Sequence, residues 1–244
     1  MFWEVLRFGL PVVPVLVFPV WFKLLTAVAN DVSRPVLFVA AAPLLGLSML
    51  AVFCLLVLAL KWVLLGRVKP GIHPLWSCWC SRWDFLYVAW AVFASTALSL
   101  LEGTLLLSWY LRAMGARIGR RVVLCGGFAQ VVDPDMLSFE DDATVSCQFQ
   151  AHTFEDRVLK IDHVTIRRRA TVGSAAVLLY GADIGEGTHV APHSVVMKRE
   201  SLLPGCSYAG VPTRPFHPKS ATSARSEWKT ETVVSATAEN AGLA

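Results

Sequence analysis

Charge of either sign is scarce in this sequence, and it is unevenly placed. Asp, Glu, Lys and Arg make up 16% of the 244 residues while 55% are hydrophobic, against roughly 45–50% in an average soluble chain. Residues 1–115 hold eight Lys and Arg against four Asp and Glu, and the remainder holds fourteen of each, so the net charge of +4 resides in the apolar half. That is where a membrane protein uses cations to set its orientation. A nucleic-acid footprint is missing, since the short cluster Arg167-Arg168-Arg169 reads as a solvated face. Cysteine pairing is missing too. The six cysteines include no C-x-x-C pair, and Cys78-x-Cys80 has no second half; structural zinc is therefore not expected, and all six are read as reduced thiols.

What is present begins with apolar runs. Residues 35–60, PVLFVAAAPLLGLSMLAVFCLLVLAL, hold no charge over 26 positions. At ~1.5 Å per residue they exceed the ~30 Å hydrocarbon core, which predicts a transmembrane helix. Residues 8–22 are shorter and carry Pro11, Pro14 and Pro19, but Lys23 can snorkel and let the segment continue to Ala29. A cleaved signal peptide ending near AVA (27–29) is the rival reading, opposed by those prolines and by Glu4. Residues 85–111 form a third apolar zone, interrupted by Glu102 and Gly103 at LEGT. A charge in mid-membrane costs about 2.5–3.5 kcal/mol on insertion scales, and Arg112, Arg117, Arg120 and Arg121 follow. The zone is therefore expected to enter and return without crossing. Between the second and third zones, Lys61, Arg67, Lys69 and Arg82 mark a cytoplasmic segment, and Trp76, Trp79 and Trp83 suit the headgroup region. His73 there reads as an interfacial turn residue.

The second half has a period of six. Ile166, Val172, Leu178, Ile184, Val190, Val196, Leu202 and Tyr208 are all large and apolar. Two residues before most of them stands a small one: Ala170, Ala176, Ala182, Thr188, Ser194. Helices repeat near 3.6 and plain strands near 2, whereas a fixed hexad marks a β-helix whose coils bury one continuous core. The same rhythm appears earlier at Ile118 and Leu124, then at Phe139, Val145 and Ala151. Two loops slip the frame, one around VVDPDML and one at HTFEDRVLKIDHV. Loops on a rigid scaffold are where chemistry concentrates.

IGRRV, the repeats through VGSAAVLLYGADIGEGTHVAPHSVVMKRESLLPG and the closing YAGVP resemble the left-handed β-helix of hexapeptide-repeat acyltransferases. LLGRVKPGIHPLWS, YLRAMGARIGRRV and QAHTFEDRVLK narrow the resemblance. They are similar to the membrane-embedded C-terminal modules of nonribosomal-peptide-synthetase-like proteins, poly-lysine synthases among them. The resemblance runs from about residue 36 to 212. Arg167 and Ser146 depart from it, standing where the repeat usually has glycine. Those relatives also carry adenylation and carrier domains and tandem modules; one module is present here, so an acyl donor is expected from elsewhere.

The resemblance implies membrane helices followed by an all-β left-handed parallel β-helix. Residues 1–115 would form the membrane domain, 116–212 the acyltransferase-like domain and 213–244 a polar disordered tail. It implies His152 as general base, since imidazole titrates near the working pH. Glu155 or Asp156 would orient that imidazole, or pair with Arg157 to hold the loop shut. Arg157, Lys198 and Arg199 are candidates for binding substrate or cofactor, the last two for a phosphate of coenzyme A or phosphopantetheine, or else as solvated cations. The expected donor is an acyl-CoA or a phosphopantetheinyl thioester, the acceptor an amine or hydroxyl, with no tightly bound cofactor and no metal. A homotrimer with active sites between subunits, a carrier protein or synthetase partner and a cytoplasmic β-helix are further expectations. Two alternatives stand beside this reading. One is a non-catalytic trimeric scaffold attached to a synthetase. The other is a zinc lyase like the γ-type carbonic anhydrases, using the outward His189 and His193 with His152.

Overall fold

The structure is a computed structural model that describes residues 2–31, 35–128, 131 and 133–216. Its helical half begins with α1 (Phe2–Arg7), α2 (Val12–Asp31) and α3 (Pro35–Leu64). After α3 come a short strand, β1 (Gly71–Pro74), and then α4 (Cys78–Ala89), a π-helical turn (Trp90–Ala94) and α5 (Ser95–Leu101), which run as one rod. Ser77, the last residue of HPLWS, starts the rod by accepting a hydrogen bond from Cys80 N through its hydroxyl at 3.2 Å, the usual way a helix satisfies an orphan donor. Two helices, Ala42–Leu64 and Cys78–Leu101, are long and apolar enough to cross a membrane by length and composition.

The rod reverses at LEGT, where the sequence places a return. Gly103 takes φ +76°, its N–H donates to Leu124 O at 2.8 Å, and the Glu102 carboxylate accepts from Phe128 N at 2.9 Å. The β half thus satisfies Glu102. At the other end of the rod, Trp83 Nε1 donates to Asp133 at 2.6 Å. Both ends of the rod are therefore tied to the β half. α6 (Leu105–Met114) follows and ends at Gly115 with φ +115°, the left-handed cap that glycine supplies without strain.

The strands of the β half are β2 (Arg117–Ile118), β3 (Val123–Leu124), β4 (Leu137–Phe139), β5 (Thr144–Gln150), β6 (His152–Glu155), β7 (Val158–Ile161), β8 (Val164–Ile166), β9 (Thr171–Leu179), β10 (Asp183–Ile184), β11 (His189–Val190), β12 (Val195–Val196), β13 (Ser201–Leu202), β14 (Ser207–Ala209) and β15 (Arg214–Phe216). Parallel pairing repeats every 18 residues: Ile166 beside Ile184 beside Leu202, Val172 beside Val190 beside Tyr208, Leu178 beside Val196. Three hexads make one coil of a parallel β-helix. The residues of the hexad from Ile166 to Tyr208 are all at most 5% exposed, and Ala170, Ala176, Ala182, Thr188 and Ser194 beside them are buried. Burial of these aliphatic columns, at roughly 25 cal/mol per Å², is what holds the coils in stack.

Two sequence expectations need correction here. Phe149, not Ala151, pairs with Leu178, because a bulge between Val145 and Cys147 shifts the register. The fold also continues past Pro212: Thr213 is buried with its hydroxyl on Glu200, and β15 pairs antiparallel with β14. The rest of the expected tail lies outside the described residues.

Candidate active site

The second frame slip is a folded excursion. β6 and β7 pair antiparallel across a two-residue turn in which Asp156 and Arg157 both have positive φ, 50° and 61°. Positive φ at both central positions is the type I′ geometry that matches strand twist. β1, from the helical half, adds to β7 as a third strand, and Leu75 N donates to Arg157 O at 3.1 Å. So the hairpin belongs to both halves. His152 is the first residue of β6, at the point where the chain leaves the prism.

The first frame slip supplies its partner. His152 Nδ1 lies 3.1 Å from Asp133 Oδ2, and Asp133 Oδ1 accepts from Trp83 Nε1 at 2.6 Å. Asp133 holds φ 58°, a left-handed conformation uncommon outside glycine. The side chain of His152 is 11% exposed and that of Asp133 only 1%. Trp83 and Phe154 meet the imidazole edge-on, at 4.9 and 5.5 Å between ring centroids. With Nδ1 on the carboxylate, Nε2 is left for the groove beside it. α4 forms one wall of that groove, with Trp83, Asp84 and Tyr87. The prism forms the other, with Gln148, Phe149 and Gln150 among its residues. A buried His–Asp pair that lines a groove can take a proton from an incoming nucleophile through the ring nitrogen not held by the carboxylate.

The carboxylate on His152 is thus Asp133, and neither Glu155 nor Asp156. Glu155 instead bridges Lys160, at 2.9 Å, and Lys198. Those two ammonium groups hold its carboxyl down at about 2, Lys198 first. The reason is strand alternation: Glu155, three residues along β6 from His152, points to the opposite face. Asp156 is exposed in the turn, and among the described residues no ion pair joins it or Glu155 to Arg157. Lys198 is spent on Glu155, and its ammonium lies 5.7 Å from the Tyr180 ring centroid. The Arg199 side chain is 71% exposed, 3.7 Å from Asp162. His189 and His193 are exposed on the coils, as alternation implies. No group of three His, Cys, Asp or Glu among the described residues is arranged to hold a metal ion. His73 lies in β1, stacked on Trp79 at 3.7 Å, and burial pushes its imidazole below the usual range while Asp133 pulls the other way.

Asp133 and Trp83 were not among the sequence candidates. The frame slip at VVDPDML was the available signal for the first, and nothing in the sequence connected that loop to the histidine. α4 of the same chain forms one wall of the groove that His152 lines.

Fold and site together define a helix-bearing hexapeptide β-helix with a buried histidine–aspartate pair. In sequence, the chain is 33% identical over 169 residues, 67% of its length, to the delta-poly-L-ornithine synthetase of Acinetobacter baumannii, and it spans 12% of that protein's length. Among solved structures it is similar to a hexapeptide-repeat-containing acetyltransferase from Vibrio cholerae, at 18% identity and a TM-score of 0.40 over 50% of this chain and 87% of that one. An N-acyltransferase from Bacillus cereus, solved with dTDP and 3-hydroxybutyryl-CoA, gives 20% identity and a TM-score of 0.32 over 49% and 68%. No protein-family model matches the chain.

Proposed function

We propose that this chain is a membrane-anchored acyltransferase that moves an acyl or aminoacyl group from a pantetheine thioester to an amine or hydroxyl, with His152 as general base. The observation that carries the reading is the buried Asp133–His152 pair beside the groove. Nε2 would accept the proton of the acceptor as its nitrogen or oxygen attacks the thioester carbonyl. The tetrahedral adduct then collapses, the C–S bond breaks, and the thiolate leaves to be protonated. Asp133 fixes the ring and stabilises the imidazolium, as the third member of a triad does. The similarity to a poly-amino-acid synthetase favours an aminoacyl chain as the group carried, and the donor is coenzyme A or a carrier protein.

The anchor in this reading is the α2–α3 hairpin, whose outer surface exposes Phe18, Phe22, Leu44, Leu47 and Val52. One end of the hairpin returns to the rod and the other to the β half. α1 is held on α4 by the Arg7–Asp84 ion pair and by Trp3 against Phe85, and Lys61 near the end of α3 meets Asp135. The homotrimer and the cytoplasmic orientation belong to the same proposal.

The test is thioester turnover by the purified chain, offered acetyl-CoA and acyl-loaded carrier protein with amine acceptors. His152→Ala should lower turnover by roughly 10²–10⁴-fold, the span of general-base help, with the donor's apparent affinity little changed. Near-normal turnover in a folded His152→Ala protein would remove the assignment.

A further inference from the structure

The loop that supplies Asp133 carries a second buried carboxylate, and its partner comes from the helical half. Asp135 Oδ2 lies 2.9 Å from Lys61 Nζ and accepts from Val68 N at 3.2 Å. The side chains of Lys61 and Asp135 are each 1% exposed. Asp135 Oδ1 and Lys61 Nζ both lack a hydrogen-bond partner among the described residues, so the two side chains meet as an ion pair. Lys61 stands in the last turn of α3, its ammonium 3.6 Å from the Trp62 ring centroid. Asp133 and Asp135 flank Pro134 in one tight turn, closed by Met136 N donating to Asp133 O at 2.9 Å. Burying such a pair costs several kcal/mol per ion, and apolar side chains of the same volume often pack as well. Cohesion alone does not account for it.

The charge count does. Lys61 brings one positive charge, Asp133 and Asp135 two negative ones. With neutral His152 this buried group carries one net negative charge, and a proton on His152 brings it to zero. We infer that Lys61 is a positioning residue for the His152–Asp133 pair: through Asp135 it holds the turn that presents Asp133, and its charge limits how firmly two carboxylates keep a proton on the imidazole. A base held permanently as imidazolium accepts nothing. The inference rests on His152 acting as the base. The other titratable or charged groups around the imidazole are Asp84 and Tyr87 on α4, Asp84 being paired with Arg7, and His73 on β1. On its own hairpin stands Glu155, shared by Lys160 and Lys198, and Arg67 lies near Lys61.

The full chain in detergent, with histidine ring carbons labelled, allows a direct test by NMR titration of the resonance that His152→Ala removes. Lys61→Met should raise the midpoint by about half to one pH unit and Asp135→Asn should lower it by a similar amount, the size expected at an effective dielectric near 20. Lys61→Arg keeps the charge and should stay near the wild type. Shifts of opposite sign are the mark of a charge network, because loosened packing moves both variants the same way. With acetyl-CoA as the donor probe, both variants should lower kcat at neutral pH while KM for the donor changes less than about threefold. Shifts of like sign, or none, in folded variants would overturn the inference. Should Lys61→Met not fold, Asp135→Asn and Lys61→Arg carry the test: an unmoved Asp135→Asn overturns it. The two readings fail separately. Full activity in His152→Ala removes the base itself, whereas loss there with unmoved midpoints removes only the role of Lys61.

Discussion

Asp133 is where the least tolerance is expected. It sits in a left-handed conformation, buried, with one carboxylate oxygen on Trp83 and the other on His152. An amide at this position can satisfy the indole or the imidazole but presents a donor where the second needs an acceptor, which favours the wrong tautomer. Asp133→Asn should therefore cut turnover by between about tenfold and 10⁴-fold with little change in donor affinity, measured in the same thioester assay. Glu155 behaves differently. Its carboxyl is held at about 2 by Lys198 and Lys160, below its ordinary 4.5. The bridge therefore contributes fully above pH 4.5 and is lost as pH falls from there towards 2. Glu155→Gln should leave most turnover intact at neutral pH while speeding amide exchange in β6 and β7, because it unties the hairpin from the coil that carries Lys198. A large loss of turnover in that variant would return Glu155 to the chemistry.

At the scale of elements, the coils and the hairpin depend on different things. Ile184 is fully buried between Ile166 and Leu202, so Ile184→Ala should cost about 2–5 kcal/mol through lost burial and a cavity, read from denaturant unfolding. His189→Ala, on an exposed coil face, should change neither stability nor turnover appreciably. Gly185 is a second sensitive point, since a Cβ there would lie 2.5 Å from Leu202 O in the next coil. The coils were legible because each hexad repeats the same inward pair, and the registers of 18 follow from it. The hairpin was not. Its turn is Asp-Arg, without the glycine or asparagine that marks a two-residue hairpin in sequence, and its third strand lies some eighty residues earlier in GIHP. Phe149 also displaced Ala151 for a reason outside the repeat, since a bulge leaves no periodic trace. His152 could be singled out from its motif, but its carboxylate came from the other frame slip, and sequence spacing says nothing about which two loops will meet.

For the molecule as a whole, the tethering of the rod at both ends bears on topology. Trp83 reaches Asp133 near one end and Gly103 reaches Leu124 at the other. A rod that crossed the ~30 Å core would put its ends on opposite sides, and one β-helix could not hold both. In the proposed membrane-anchored reading, crossings by α2 and α3 and none by the rod would leave α1, β1 and the prism on one side. A cysteine placed at Ser174, which is exposed on the prism, should stay unlabelled by an impermeant thiol reagent in intact cells and react once the membrane is opened. Labelling from outside would reverse the orientation.

The third strand of the hairpin sheet carries one more consequence. Composition changes sharply near residue 115, yet the sheet that presents His152 borrows β1 from before that point, and Trp83 and Lys61 come from there as well. A polypeptide excised at Ala116 would keep its repeats, Asp133 and β7 but lose β1, Trp83 and Lys61 from around its histidine. Recombination at the same joint would have the same result, as would duplication of the repeats alone. What can be inherited or transplanted as a working piece is therefore the stretch from α3 to β15, helices and coils together.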